Sequence, residues 1–296
     1  MVERYDTIVS DPSGSPIAVD RRKLMEIPYF LMTNQTQNIV AIPANGSVAA
    51  VCCNVSSDGP AEVLAHASES TGQYTVVMRI RDGVDTRQIT NGPIHNLLIA
   101  GNNLMPYRLA ESLLVDEARG IEMDFADISG APNNVRFVSH AVRYLEIMDD
   151  PKAERLRVRM RRRQHLSFPF YYGFEGVGYA QLATGATGNY PITIGSDHFE
   201  LTTISYFGST GQNVDLQIVD VTRGEPLIDA FGGDYYAINA RLMAFDARFA
   251  YRLCEPRLIM GGSKLVVQVR NNEAVTNNIY IALGGRVLAC QILKEQ

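Results

Sequence analysis

Ile121-Glu122-Met123-Asp124-Phe125 alternates apolar and acidic residues and leads to the polar turn Ala131-Pro132-Asn133-Asn134; the arrangement returns as Leu265-Val266-Val267-Gln268-Val269 before Val275-Thr276-Asn277-Asn278. Period-two alternation places one face of a strand in a core and leaves the other toward water. Working outward, Gly72-Gln73 matches Gly211-Gln212, and Val76-Val77-Met78-Arg79-Ile80 matches Asp215-Leu216-Gln217-Ile218-Val219. Further upstream, Pro28-Tyr29-Phe30-Leu31 matches Pro169-Phe170-Tyr171-Tyr172. The offsets are 141 (169 minus 28), 139 (211 minus 72), 144 (265 minus 121) and 144 (277 minus 133). A nearly constant offset at four landmarks reads as two copies of one β-domain, a common way to enlarge a contact surface.

Short runs with period two, such as Ile39-Val40-Ala41-Ile42 and Thr75 to Ile80, are separated by turn signals including Asn45-Gly46, Ser57-Asp58-Gly59-Pro60 and Asp82-Gly83. This pattern, with no convincing amphipathic helix, predicts an all-β chain of two tandem antiparallel sandwiches, each a jelly roll or a related Greek-key fold. Residues 1–26 lack packing periodicity and read as an extended arm able to add a strand to a neighbour's sheet. The first sandwich is expected over 27–148, an Arg-rich linker strand over 149–166 and the second sandwich over 167–296.

The chain has 296 residues, enough for two cores, and 46% apolar content is ordinary for globular domains. A formal charge of -5 gives no global attraction to nucleic acid or an anionic membrane. The apolar runs are too short to span a bilayer, and the N-terminus is polar where a signal peptide carries its apolar region, so synthesis in a cytoplasm is expected. Cys52, Cys53, Cys254 and Cys290 show no zinc-ligand spacing, and the vicinal pair reads as small residues on one strand.

The sharpest local signal is Arg155-Leu156-Arg157-Val158-Arg159-Met160-Arg161-Arg162-Arg163, which aligns Arg155, Arg157, Arg159, Arg161 and Arg163 on one face of an extended strand. Such a row can grip phosphates or pair with carboxylates across an interface, for which Asp149, Asp150 and Glu154 lie nearby. The absence of interleaved aromatics favours the interface, and nucleic acid is not expected as a partner. Tyr171, Tyr172, Tyr235 and Tyr236, set near glycines, are expected to present rings for association. His66, His95, His140, His165 and His198 form no paired ligand or catalytic motif, and the counterpart of His140 in the second repeat is the Gly284-Gly285 region. Glycine clusters at 173–178, 185–188 and 261–262 fail the phosphate-loop test and read as loop tips and bulges, while Gly208-Ser209-Thr210-Gly211 lacks the spacing of a nucleophile elbow. No catalytic set, metal or cofactor is expected.

Gly92-Pro93-Ile94-His95-Asn96, Pro106-Tyr107-Arg108-Leu109, Glu111-Ser112-Leu113-Leu114-Val115 and Asp127-Ile128-Ser129-Gly130-Ala131-Pro132-Asn133-Asn134-Val135-Arg136, ending in His140-Ala141-Val142-Arg143, resemble structural proteins of tailed bacteriophages. The resemblance covers about half of the first repeat; the second keeps Pro256-Arg257-Leu258-Ile259, Asn277-Asn278 and Gly284-Gly285-Arg286 and is read as losing the middle. What it implies is a virion component accessory to the main shell: a capsid decoration or minor capsid protein, or a neck or collar protein. Its expected partners are other virion proteins (major capsid, portal or neck) and copies of itself, with no membrane. A carbohydrate- or receptor-binding sandwich of the virion is the alternative.

Overall fold

A computed structural model describes residues 24–56, 59–82, 85–102, 105–116, 119–146, 167–228, 237–243 and 250–288. The first half contains β1 (Leu24–Met32), β2 (Val40–Ile42), β3 (Ser47–Asn54), β4 (Ala61–Ser70), β5 (Tyr74–Asp82), β6 (Asp85–Gln88), β7 (Ile94–His95), β8 (Tyr107–Val115), β9 (Gly120–Asp127) and β10 (Asn133–Glu146). The second contains β11 (Ser167–Tyr172), β12 (Ala180–Leu182), β13 (Thr187–Thr193), β14 (His198–Gly208), β15 (Val214–Asp220), β16 (Glu225–Ile228), β17 (Ile238–Asn239), β18 (Tyr251–Ile259), β19 (Lys264–Asn271) and β20 (Asn277–Leu288). One turn of α-helix, Ala240–Met243, follows β17. β1 begins at Leu24, so the last three residues of the segment read as an arm belong to a strand; residues 1–23 lie outside the described residues, as does the arginine row of the linker.

One sheet of the first half has the order β1-β10-β4-β8, with β2 also on β10; the other has the order β3-β9-β5-β6, with β7 also on β5. The second half repeats both, as β11-β20-β14-β18 with β12, and β13-β19-β15-β16 with β17. All named strand pairs are antiparallel, and this order is that of a jelly roll. Every strand of one domain has a counterpart in the other, in sequence and in pairing. The domains are therefore tandem jelly rolls related by duplication.

The alternation that opens the sequence does what its period requires. Ile121, Met123 and Phe125 of β9, and Leu265, Val267 and Val269 of β19, are fully buried, while the residues between them are not. In the first core Phe125 meets Phe137 edge to face at 6.2 Å and Tyr74 at 5.5 Å. Burying a side chain of this size contributes about 2–3 kcal/mol, so the packed inner faces dominate each domain's stability.

The repeated Asn-Asn turn is a clamp. Asn133 is buried, and its Oδ1 accepts hydrogen bonds from the Gly72 N–H (2.9 Å) and the Thr71 hydroxyl (3.1 Å). Buried Asn277 does the same work, accepting from the Thr210 N–H (3.1 Å) and donating through Nδ2 to the Gly211 carbonyl (3.0 Å). The following N–H groups are held alike, Asn134 by the Thr71 hydroxyl (2.9 Å) and Asn278 by the Ser209 hydroxyl (3.1 Å). These bonds tie the loop after β4 or β14 to the start of β10 or β20. They also explain the odd offset at Gly72-Gln73: register gives 138 before the turn (Gly208 against Ser70) and 140 after it (Val214 against Tyr74).

Candidate functional site

Two of the expected association residues lie elsewhere than expected. Tyr171 and Tyr172 sit on β11 with buried rings, not at a loop tip. Tyr172 packs on Phe199 within its own domain, ring centroids 4.9 Å apart, and its hydroxyl accepts from the Gly195 N–H (3.0 Å). Tyr171 faces the other domain. Arg155, Arg157, Arg159, Arg161, Arg163, Tyr235 and Tyr236 lie outside the described residues, as do His165 and Cys290.

The remaining chemistry-bearing side chains are taken up by the fold. His66 is buried between the sheets, its Nδ1 2.9 Å from the Ser139 hydroxyl and its ring 5.2 Å from Phe137; burial, with His140 nearby, pushes its pKa down to about 3. His198 Nδ1 accepts from the Gly261 N–H (3.0 Å). Cys52 and Cys53 are buried on β3, and burial raises the Cys53 thiol to about 12, which leaves it protonated and inert. Among the described residues no three His, Cys, Asp or Glu side chains gather as a metal site. Gly176, Gly178, Gly185 and Gly262 have positive φ, as loop tips demand.

What the structure does build is a tight interface between the two domains. Tyr171 pairs its backbone with the segment after β6: its N–H donates to the Ile89 carbonyl (2.8 Å), and its carbonyl accepts from the Asn91 N–H (3.1 Å). Its hydroxyl accepts from the Ala110 N–H on β8 (3.0 Å), and its ring meets Tyr107 at 6.3 Å. Full burial raises the pKa of both phenols. Asn91 then closes a two-bond clasp on Gly173, donating to its carbonyl (3.0 Å) and accepting from its N–H (2.7 Å). Gly284 makes room for this arrangement, since a Cβ there would lie 2.8 Å from the Tyr171 ring.

A second contact centres on His95 of β7. Its ring stacks on Phe207 at 4.3 Å and lies 4.6 Å from Tyr280, both on the outer face of the second domain's first sheet. Nδ1 accepts from the Leu97 N–H (3.3 Å), so the proton sits on Nε2, which is buried with no hydrogen-bond partner among the described residues. Burial holds this histidine neutral, with a pKa down to about 3. At the rim, Arg286 pairs with Glu200 of its own domain and reaches Glu111 of the other at 3.9 Å. Tyr171, Tyr280 and Ala282 thereby join the first domain's core cluster.

Beside this interface lies an open cleft of about 690 Å³, lined by Leu64, Met105, Arg108 and Ser112 from the first domain and by Thr203 and Arg252 from the second. Its two arginines are repeat equivalents. Arg108 stands opposite Ala65 on β4, and Arg252 opposite Thr203 on β14. They belong to a repeat that the sequence reading missed: Tyr107-Arg108-Leu109-x-Glu111 returns as Tyr251-Arg252-Leu253-x-Glu255, offset 144 (252 minus 108). The middle of the second repeat is thus retained.

No protein-family model matches the chain, and no curated protein matches its sequence. Among solved structures it is similar to the CBM22-1–CBM22-2 tandem domain of Paenibacillus barcinonensis Xyn10C, at 7% identity over 88% of this chain and 98% of that one, with a TM-score of 0.20. It is also similar to vicilin from Capsicum annuum (7% identity, 87% and 86% coverage, TM-score 0.15) and to the coconut allergen cocosin (10% identity, 88% and 86% coverage, TM-score 0.15). At these TM-scores the likenesses carry no argument about function.

Proposed function

We propose that this chain is a non-enzymatic structural component of a bacteriophage particle, assembling by subunit contacts on the capsid surface or at the head–tail neck. The observation that carries this reading is what the two domains keep in common. The kept side chains are Asn133 and Asn277, which clamp loops, and Tyr107 and Tyr251, which hold the same register on the edge strands. Large apolar side chains nonetheless stay exposed on edge strands, with Phe30 at 55%, Met32 at 56% and Leu258 at 43%. Such residues suit surfaces that other subunits cover. The resemblance of Gly92 to Arg143 to tailed-phage structural proteins supports the same reading. Quantitative mass spectrometry of purified particles tests it: a fixed copy number relative to the major shell protein is expected, and absence from the particle overturns it.

The interdomain cleft favours a second reading, a carbohydrate- or receptor-binding sandwich of the virion. Arg108, Arg252 and Ser112 offer hydrogen-bond donors beside the apolar Leu64 and Met105. Glycan-array binding that is lost in Arg252→Ala supports this reading, and an array without signal removes it.

A further inference from the structure

β8 and β18 occupy the same place in their domains, and the surface that covers β8 also has a counterpart. Tyr171 stands opposite Gly284, which stands opposite Thr203. In the first domain Phe30 stands opposite His140, which stands opposite Ala65. Phe30 is therefore the equivalent of Tyr171, and the outer face of β1, β10 and β4 is the equivalent of the face on which β8 packs. Among the described residues only one of these two matched pairs of surfaces is joined. Tyr107 of β8 is 4% exposed and Tyr171 fully buried, whereas Tyr251 is 37% exposed and Phe30 55%. Cys254, the equivalent of the Ala110 whose N–H holds Tyr171, is exposed as well.

We infer that β18 of one copy docks on the outer face of β1, β10 and β4 of a second copy, repeating between chains the contact that β8 makes with the second domain within the chain. Tyr251 then lies against Phe30 as Tyr107 lies against Tyr171. On the receiving face the smaller Ala65 and Ala67 stand at the positions that Thr203 and Ser205 hold in the second domain. The neighbouring contact changes character on both sides together. His95 faces Phe207 and Tyr280, while its equivalent Asn239 is a polar residue whose opposing positions, Glu69 and Arg136, form an exposed ion pair at 3.3 Å. The pair Glu111–Arg286 is not reproduced, because Val142 occupies the position of Arg286. Each copy carries one surface of each kind, so the contact is heterologous and builds a closed ring or an open filament.

This inference extends the assembly role proposed above but is tested on the purified chain alone, so a failed particle assay and a failed self-association assay are separate results. Sedimentation velocity of the full chain over a concentration series should show growth into oligomers. Phe30→Glu and Tyr251→Glu, each changing an exposed side chain, should each weaken self-association about tenfold or more. Mixing the two variants should restore one intact contact per pair and give a 1:1 complex that grows no further. A wild-type chain that stays monomeric, variants that assemble as the wild type does, or a mixture without the 1:1 complex overturns the inference. Circular dichroism checks folding, and Met32→Lys with Cys254→Arg repeats the test from neighbouring positions should either first variant misfold.

Discussion

β8 and β18 carry the same Tyr-Arg-Leu-x-Glu run at the same register, yet β8 is mostly covered and β18 is exposed along nearly its whole length. The strands differ in what lies against them. The second domain's outer face closes over β8 through Tyr171, Tyr280 and the stacked His95, while β18 pairs with β14 and leaves most of its side chains exposed. Duplication of a domain with one sticky edge and one receptive face satisfies the inner pair of surfaces and, among the described residues, leaves the outer pair exposed. A single contact geometry can thus serve both the architecture of the chain and its assembly.

The comparison can be broken most forcefully at Tyr171 and Phe30. Tyr171→Ala empties a fully buried site and removes an interdomain hydrogen bond, so a loss of about 3–5 kcal/mol in urea unfolding is expected, against under about 1 kcal/mol for Phe30→Ala in the monomer. Equal losses would mean that the positions are not covered and uncovered versions of one another. Asn133→Ala and Asn277→Ala each remove a buried amide and its hydrogen bonds to the loop and should each cost about 1–3 kcal/mol; a large cost in one domain only would show that the clamps are not equivalent.

The acid response sharpens the contrast further. Neutral His95 has a pKa of about 3 in the folded chain, against about 6.5 for an unfolded histidine. The unfolded chain therefore takes up a proton that the native one refuses, and stability is full above about pH 6.5 and declines as pH falls toward 3. His95→Asn, which installs the residue found at the equivalent Asn239, should remove about 1.4 kcal/mol of that loss by one pH unit below 6.5. A variant with an unchanged pH profile would place the acid sensitivity elsewhere, with buried His66 the next group to test. The smallest effect belongs to the exposed pair Arg136–Glu69: Arg136→Ala should change monomer stability by under about 0.5 kcal/mol.

Much of the fold was legible because the inner faces impose a period of two. Val76, Met78 and Ile80, like Leu216 and Ile218, alternate in sequence because they alternate between core and outer face. The Asn-Asn turns were visible for a different reason, since each supplies a buried amide that a loop about 60 residues away requires. The interface was hidden. Tyr171 beside glycines reads as a loop tip, and what buries it is Ala110 and Tyr107, more than 60 positions upstream on the other domain. The Tyr-Arg-Leu-x-Glu repeat was present in the letters, at the same offset as the Asn-Asn turns. It was obscured by Pro256 and Arg257, which interrupt the strand alternation that Ser112 and Leu113 maintain.

Hydrogen exchange of the full chain at low and high concentration tests the central claim most directly, because it reads both pairs of surfaces in one sample. The account predicts that amides of β8 and β11 are protected at every concentration, while those of β18 and β1 gain protection together as concentration rises. Protection of β18 and β1 that is the same at both concentrations would contradict it.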